Sequence, residues 1–452
     1  MDIISMYSVK IKEYRHIFKE SLQMYRSAVD FFINVCLKEW DDFNPVVKSQ
    51  SKYIKLMEIL TVPTKDRPDV LYNFNTKFYK MPCYLRRAAI SEAVGKVSSY
   101  KSNLSNWEES DSCIRGEKPS SPKAGYCYPA LYKGNMFVRV DDYTAKIKVF
   151  RNNTWDWITI KLHKSDVDYI THHCNRMEEC APTLQKRGKI WYLDFPFKEK
   201  CELKTTPVKE QTIVAVDLGI NSSATCSVLN SSGAVLGRHF LKLPKEYDSL
   251  NRKIGHIKYA QRHGSRSTPR LWAFAKSMND DIAVKTADFI MKVAILYNAD
   301  VIVFEHLDLD KKKHGSKKQK LALWKAKYVQ QMIEHKAHVN SIRISHINAW
   351  GTSKLAFDGS GTVLRGNKST KTGNNYSLCE FQNGKIYNCD LSATYNIGAR
   401  YFVREILKSL PVTERQRIEA KVPGCAKRST CTLSTLISLN GELGSVESGI
   451  AV

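Results

Sequence analysis

None of the 12 cysteines is spaced C-x-x-C from another, so the sequence carries no disulfide framework, and scattered thiols of this kind serve mostly as small buried hydrophobes. No apolar run approaches the roughly 18 residues a spanning helix needs, and the start, MDIISMYSVKIK, lacks the basic flank and apolar core of a secretory leader. Acidic residues are scarce. Against 70 Lys and Arg stand 45 Asp and Glu, giving +25 over 452 residues. The excess recurs from Lys10 to Arg428, and a folded chain with so much uncompensated charge usually meets a polyanion. A hydrophobic share of 43% is ordinary for a globular chain long enough for two or three cores. Together these features predict a soluble cytoplasmic protein with nucleic acid, not a membrane, as its partner.

The first dozen residues alternate from Ile3 to Ile11 as one strand of a sheet completed much later would. Phe18, Leu22, Tyr25, Val29, Phe32 and Cys36 then recur at three and four residues, the period of an amphipathic helix, and Leu85, Ala89, Ala93 and Val97 mark a second. After an irregular Ser- and Pro-rich connection from Ser110 to Tyr126, strands are predicted over Met136–Val140, Ala145–Phe150, Trp155–Leu162 and Ile190–Phe197. This reads as a small β-barrel or sandwich with a helical block inserted after its first strand. Residues 201–211 read as a polar linker. From Ile213 onward strands and helices alternate, as a mixed α/β domain requires. No internal repeat is present.

Three carboxylates stand out in that last unit. Asp217 ends the apolar strand of TIVAVDLGINSSATCSVLN, Glu305 follows the buried run VIVF, and Asp390 precedes a helical face of Leu391, Tyr395, Ala399, Phe402 and Ile406, where it reads as a helix cap. An acidic residue directly after an apolar strand is costly to bury unless something positive meets it. Three of them suggest Mg²⁺, a hard cation that prefers oxygen ligands, and the chemistry that needs such a site is two-metal phosphodiester hydrolysis. Read singly, Asp390 could be only a cap, Glu305 a strand-end ion pair and Asp217 a turn residue.

The segments AVDLGINSSAT, ADVIVFEHLDL and CDLSATYNIGARYF resemble the three RuvC motifs of TnpB, the transposon-associated RNA-guided nucleases, and of the compact type V CRISPR effectors. The Arg86-Arg87-Ala88 helix, EKPSSPK, KRGKIWYLDF and LWKAKYVQQMIEHKAH extend the resemblance in the same order. It implies a multidomain α/β protein: a wedge β-barrel (1–13 and 119–200), an inserted helical recognition lobe (14–118), and an RNase H-like RuvC nuclease (212–348 and 390–452). Asp217, Glu305 and Asp390 would be its catalytic ligands for two Mg²⁺ ions, a guide RNA and target double-stranded DNA its partners, and a bacterial or archaeal cytoplasm its place. Two copies on one RNA are a further expectation. The rivals are an RNA-guided DNA-binding repressor with a decayed nuclease and a protein-guided junction resolvase.

TnpB proteins carry two C-x-x-C pairs between the second and third motifs, a zinc signature. Here only Cys379 and Cys389 remain, so residues 349–389 are expected to form a zinc-free lid or nucleic-acid-loading insert, with Thr352, Ser353 and Lys354 at its entry and Tyr376, Phe381 and Tyr387 packed within. The cluster His172, His173, Cys174 and Cys180 is set aside, because adjacent histidines point apart. For nucleic acid the candidates are Arg86 and Arg87, then Arg252, Lys253, Arg262, Arg266 and Arg270 between the first two motifs, since guanidinium groups grip phosphate in a fixed fork. Six lysines in KKKHGSKKQK, Lys311 to Lys320, add charge, and Tyr126, Tyr128 and Tyr132 are candidate base-stacking or packing residues.

Overall fold

The computed structural model describes residues 1–13, 16–43, 49–111, 115–219, 223–265, 267–307, 324–369, 371–373, 375, 377–427 and 429–449. Arg266, the lysine run 311–320 and Tyr376 therefore lie outside the described residues. The chain divides into residues 2–200 and, with Met1, residues 201–452.

In the first unit strand β1 (Asp2–Lys10) precedes helices α1 (Ile17–Lys38), α2 (Trp40–Phe43), α3 (Gln50–Thr61), α4 (Phe74–Lys77) and α5 (Cys83–Glu109). Then come β2 (Phe137–Asp141), β3 (Thr144–Arg151), β4 (Thr154–Lys161), α6 (Lys164–His173), β5 (Glu178–Glu179), β6 (Thr183–Arg187) and β7 (Ile190–Lys200). The opening alternation does make a strand, and β1 pairs antiparallel with β7 from Asp2–Lys200 to Lys10–Tyr192. The stripe on α1 is its buried face, and it packs on α5, whose Leu85, Ala89, Ala93 and Val97 are fully buried. Strands β2, β3 and β4 form a second sheet, and an isolated bridge joins Ile11 to Leu162. Helix α6 was not foreseen. Only Val167 and Ile170 bury from its ten residues, too few to show a period.

The second unit is built on strands β8 (Thr212–Asp217), β9 (Ala224–Asn230) and β10 (Val235–Leu241), helices α7 (Pro244–Arg262) and α8 (Pro269–Leu296), strand β11 (Val301–His306), helix α9 (Ala326–Val339) and strand β12 (Arg343–Asn348). An insert with the short hairpin β13 (Leu378–Glu380) and β14 (Ile386–Asn388) leads into α10 (Cys389–Ser409), α11 (Val412–Lys421) and α12 (Leu433–Gly449). The sheet order is β10-β9-β8-β11-β12, antiparallel through β8 and parallel from β8 to β12. Because side chains alternate along a strand, Val214, Val216, Ile302 and Phe304 bury with α8 and α9, while Ile213, Ala215, Val301 and Val303 bury with α10.

The segment expected to be a polar linker is instead fastened to the amino ends of these strands. Lys204 Nζ donates to Asn298 O, Asn298 Oδ1 and Ala299 O, Thr206 Oγ1 donates to Asp300, and Gln211, nearly buried, accepts from the Tyr401 hydroxyl at 2.8 Å. Composition alone hid this, since each polar group meets a polar partner. No helix among the described residues is long and apolar enough to cross a membrane.

Candidate active site

Register brings two of the predicted carboxylates side by side. Val216 pairs with Phe304 across the parallel β8–β11 ladder, so Asp217 and Glu305 are the next residues along each strand. By alternation they point to the face that α10 covers. Asp390 lies in the first turn of α10, but it does not cap the helix: Asn388 does, its side chain accepting from Leu391 N at 2.9 Å. The sequence suggested Asp390 as the cap, but the backbone phase gives that role to Asn388 and leaves the Asp390 carboxylate free of it. Helix α10 can come this close because of Gly398, where a Cβ would stand 2.9 Å from Leu229 Cδ1 and 3.4 Å from Ala215 Cβ.

The electrostatics tie the three groups together. Burial pushes the Asp217 carboxyl well above the usual carboxylate range, and the charges of Glu305 and Asp390 push it further. Glu305 and Asp390 are also raised, each first by burial. Among the described residues no three His, Cys, Asp or Glu side chains converge as closely as a metal cluster does. The donor set nonetheless fits a hard divalent cation: three carboxylates that repel one another, with oxygen ligands only, are what such an ion relieves.

Two cations at this site went unnoticed in the sequence. Arg365, in the insert, opposes the raised values of both Asp217 and Asp390; its guanidinium donates to Ser353 O, and its buried Nε has no hydrogen-bond partner. Arg400, on α10 and 4% exposed, donates to Asn348 O and Trp350 O at 2.8 Å each, to Cys431 O at 3.1 Å and to Ser429 O at 2.5 Å, while its charge opposes the raised value of Glu305. Arg365 left only a weak signal, a lone basic residue in an insert that otherwise departs from the motif pattern. Arg400 lies about three turns along the same helix from Asp390 and was hidden among apolar neighbours.

Of the three entry residues of the insert, Thr352 is buried with its hydroxyl on Glu305, Ser353 offers its carbonyl to Arg365, and Lys354 is exposed. Cys379 and Cys389 are buried beside each other in a small core with Ala356 and Phe381, packed by Phe357 and Tyr387. The hydrogen-bonding of Tyr387 to Tyr395, and of Arg238 to Tyr395 at 2.5 Å, anchors that core to α10 and β10.

The candidate phosphate contacts separate into two groups. Arg86 and Arg87 both bond Glu58, at 2.9 and 3.1 Å, and so are engaged within the chain. Arg252, Arg262 and Arg270 are exposed, and Lys253 Nζ lies 4.7 Å from the Phe274 ring centre. His173 stacks on Tyr169 and bonds its carbonyl, a surface packing role. Tyr126 is exposed, and Tyr132 packs against Tyr84.

The Aq_aa04 family model matches residues 5–151. The uncharacterized protein aq_aa04 of Aquifex aeolicus (strain VF5) is 31% identical over 152 residues, spanning 31% of this chain and 82% of that protein. The chain belongs to the Aq_aa04 family. This Aq_aa04 family member is also similar to the TnpB-like protein aq_aa05 of the same organism, 25% identical over 240 residues, 47% of this chain and 74% of that one. The relationship to TnpB read from the motifs therefore holds. Solved structures similar to it include the cryo-EM structure of the Cas12f1–sgRNA–target DNA complex, at 14% identity, 88% and 98% coverage and a TM-score of 0.47. Another is the crystal structure of the AacC2c1–sgRNA binary complex, at 11% identity, 83% and 65% coverage and a TM-score of 0.38.

Proposed function

We propose that this protein is an RNA-guided DNA endonuclease with one RuvC-type site on an RNase H-like unit. The observation that carries the proposal is that Asp217 and Glu305 stand at the ends of the adjacent inner strands β8 and β11, on the face covered by α10, whose first turn bears Asp390. The five-stranded order, with antiparallel strands leading into parallel ones, supports the RNase H-like reading. Likeness to a TnpB-like protein supports the guide-dependent class.

Asp217, Glu305 and Asp390 would hold two Mg²⁺ ions, which when bound supply an activated water and stabilisation of the leaving oxygen. The chain's own residues do the remainder. The three carboxylates supply the negative field that draws the cations and fixes their place. Arg365, with an uncommitted buried Nε, is placed to meet a phosphate that enters beside Asp217 and Asp390. The exposed arginines of α7 and α8 hold backbone phosphates without reading sequence, which is left to pairing between guide and target.

The test starts from protein purified with its bound RNA, which is sequenced to define a matched target. Wild type should cut that target with Mg²⁺ and not with chelator, and Asp217→Ala, Glu305→Ala and Asp390→Ala should each abolish cutting while target binding persists. Binding without cutting by the wild type would favour the repressor, and robust cutting by one variant would remove that residue from the site. The mass of the RNA complex decides between one copy and two.

A further inference from the structure

Thr352 opens the insert and is only 2% exposed. Its hydroxyl lies against two acceptors, Glu305 Oε1 and, at 3.0 Å, Ala349 O. One proton serves one of them at a time, and a charge-assisted bond to an ionised Glu305 is the stronger. The main-chain carbonyl of the same residue accepts from Asn396 Nδ2 at 2.9 Å, and Asn396 Nδ2 also donates to Leu355 O at 2.9 Å. Asn396 lies on α10, six residues beyond Asp390, and is fully buried.

Its amide is an expensive choice. Both amide hydrogens are used, but Asn396 Oδ1 is buried with no hydrogen-bond partner. An orphaned acceptor of that kind is destabilising, and an apolar residue of similar size would avoid the penalty. What the amide does instead is pin the turn that carries Thr352. A continuous path thus runs from α10, which bears Asp390, through Asn396 and Thr352 to the carboxylate of Glu305 on β11. Gln330 Nε2 holds the main chain of Glu305 at 3.1 Å but leaves its carboxylate free.

We infer that Thr352 is a positioning residue for Glu305, held in place by Asn396, and that this bridge sets the carboxylate of Glu305 relative to Asp390. The inference rests on the reading of the three carboxylates as a metal-dependent site. A hydroxyl that orients a ligand's carboxylate raises cation affinity without touching the cation, and loss of such a partner weakens binding or activity by about 10- to 100-fold.

The test uses the full chain with its co-purified RNA. Mn²⁺ binding is followed from the electron paramagnetic resonance of the free ion, and the Mg²⁺ midpoint for cleavage is measured beside it. Thr352→Val, which keeps the shape and removes the hydroxyl, should weaken Mn²⁺ binding by about 10- to 100-fold and raise the Mg²⁺ midpoint in parallel. Thr352→Ser should return both close to wild type, a rescue that a purely packing role would not show. Asn396→Ala leaves the hydroxyl in place but releases its turn, and should weaken Mn²⁺ binding in the same direction. Wild-type Mn²⁺ affinity in Thr352→Val, or a serine variant as weak as the valine one, would overturn the inference; if the valine variant does not fold, unchanged affinity in Asn396→Ala would do so. Glu305→Gln separates the two readings. If it binds Mn²⁺ like wild type, Glu305 is no metal ligand and the site reading itself fails, whatever Thr352 does.

Discussion

At the residue scale the candidate site is a place where the fold gives up stability. A carboxyl whose folded pKa is raised binds its proton more tightly in the folded state than in the unfolded chain. Stability therefore falls as pH rises from the ordinary carboxylate value near 4 through the raised one. Asp217, pushed well up by burial and by its two acidic neighbours, should show this most clearly. In chelator, Asp217→Asn should melt close to wild type near pH 4 and above it near pH 7, with roughly 2–4 °C for each kcal/mol of repulsion removed. Adding Mg²⁺ should narrow the gap by stabilising only the wild type. A melting difference that stays flat from pH 4 to pH 8 would show that the three carboxylates do not strain one another.

At the scale of elements, the placement of α10 over β8 and β9 depends on one glycine. Gly398 has no room for a methyl group against Leu229. Gly398→Val should force the helix outward at a cost of about 1–3 kcal/mol and shift Asp390 away from Asp217, lowering cutting more than RNA binding. If cleavage by the folded variant equals that of wild type, the close approach is packing alone. The insert makes a different prediction. Cys379 and Cys389 are two thiols in an aromatic core, and a structural zinc site needs four ligands. Metal analysis should find zinc well below one equivalent, and Phe381→Ala, which empties the centre of that core, should destabilise the insert by about 3–5 kcal/mol, read by local hydrogen exchange. One equivalent of zinc lost on changing Cys379 would mean that unrecognised ligands complete the site.

Over the whole molecule, the features legible in the sequence were those with a period or a motif. The stripe on α1 follows from the helical period, and the apolar runs of β8 before Asp217 and of β11 before Glu305 from strands buried on both faces; the structure places all three as expected. What stayed hidden depended on partners far along the chain. Arg400 has meaning only once residues 348, 350, 429 and 431 surround it, the cap at Asn388 depends on helix phase, and Arg86 looked free until Glu58 came beside it. The exposed arginines remain the testable part of the charge reading. Replacing Arg252 and Arg262 together with Ala should lower the slope of log affinity for RNA against log salt by about 1.4–1.8, since each phosphate contact contributes roughly 0.7–0.9. An unchanged slope would assign both to a solvated face. The pairing of β1 with β7 has a consequence in time. A ribosome adding 5–20 residues per second takes roughly 10–40 seconds to deliver the partner of the first strand. Throughout that interval Ile3 and Val9 have no sheet to enter, so nascent chains stalled before Ile190 should be protease-sensitive at their amino end, and those extended far enough past Lys200 for β7 to clear the ribosome should not.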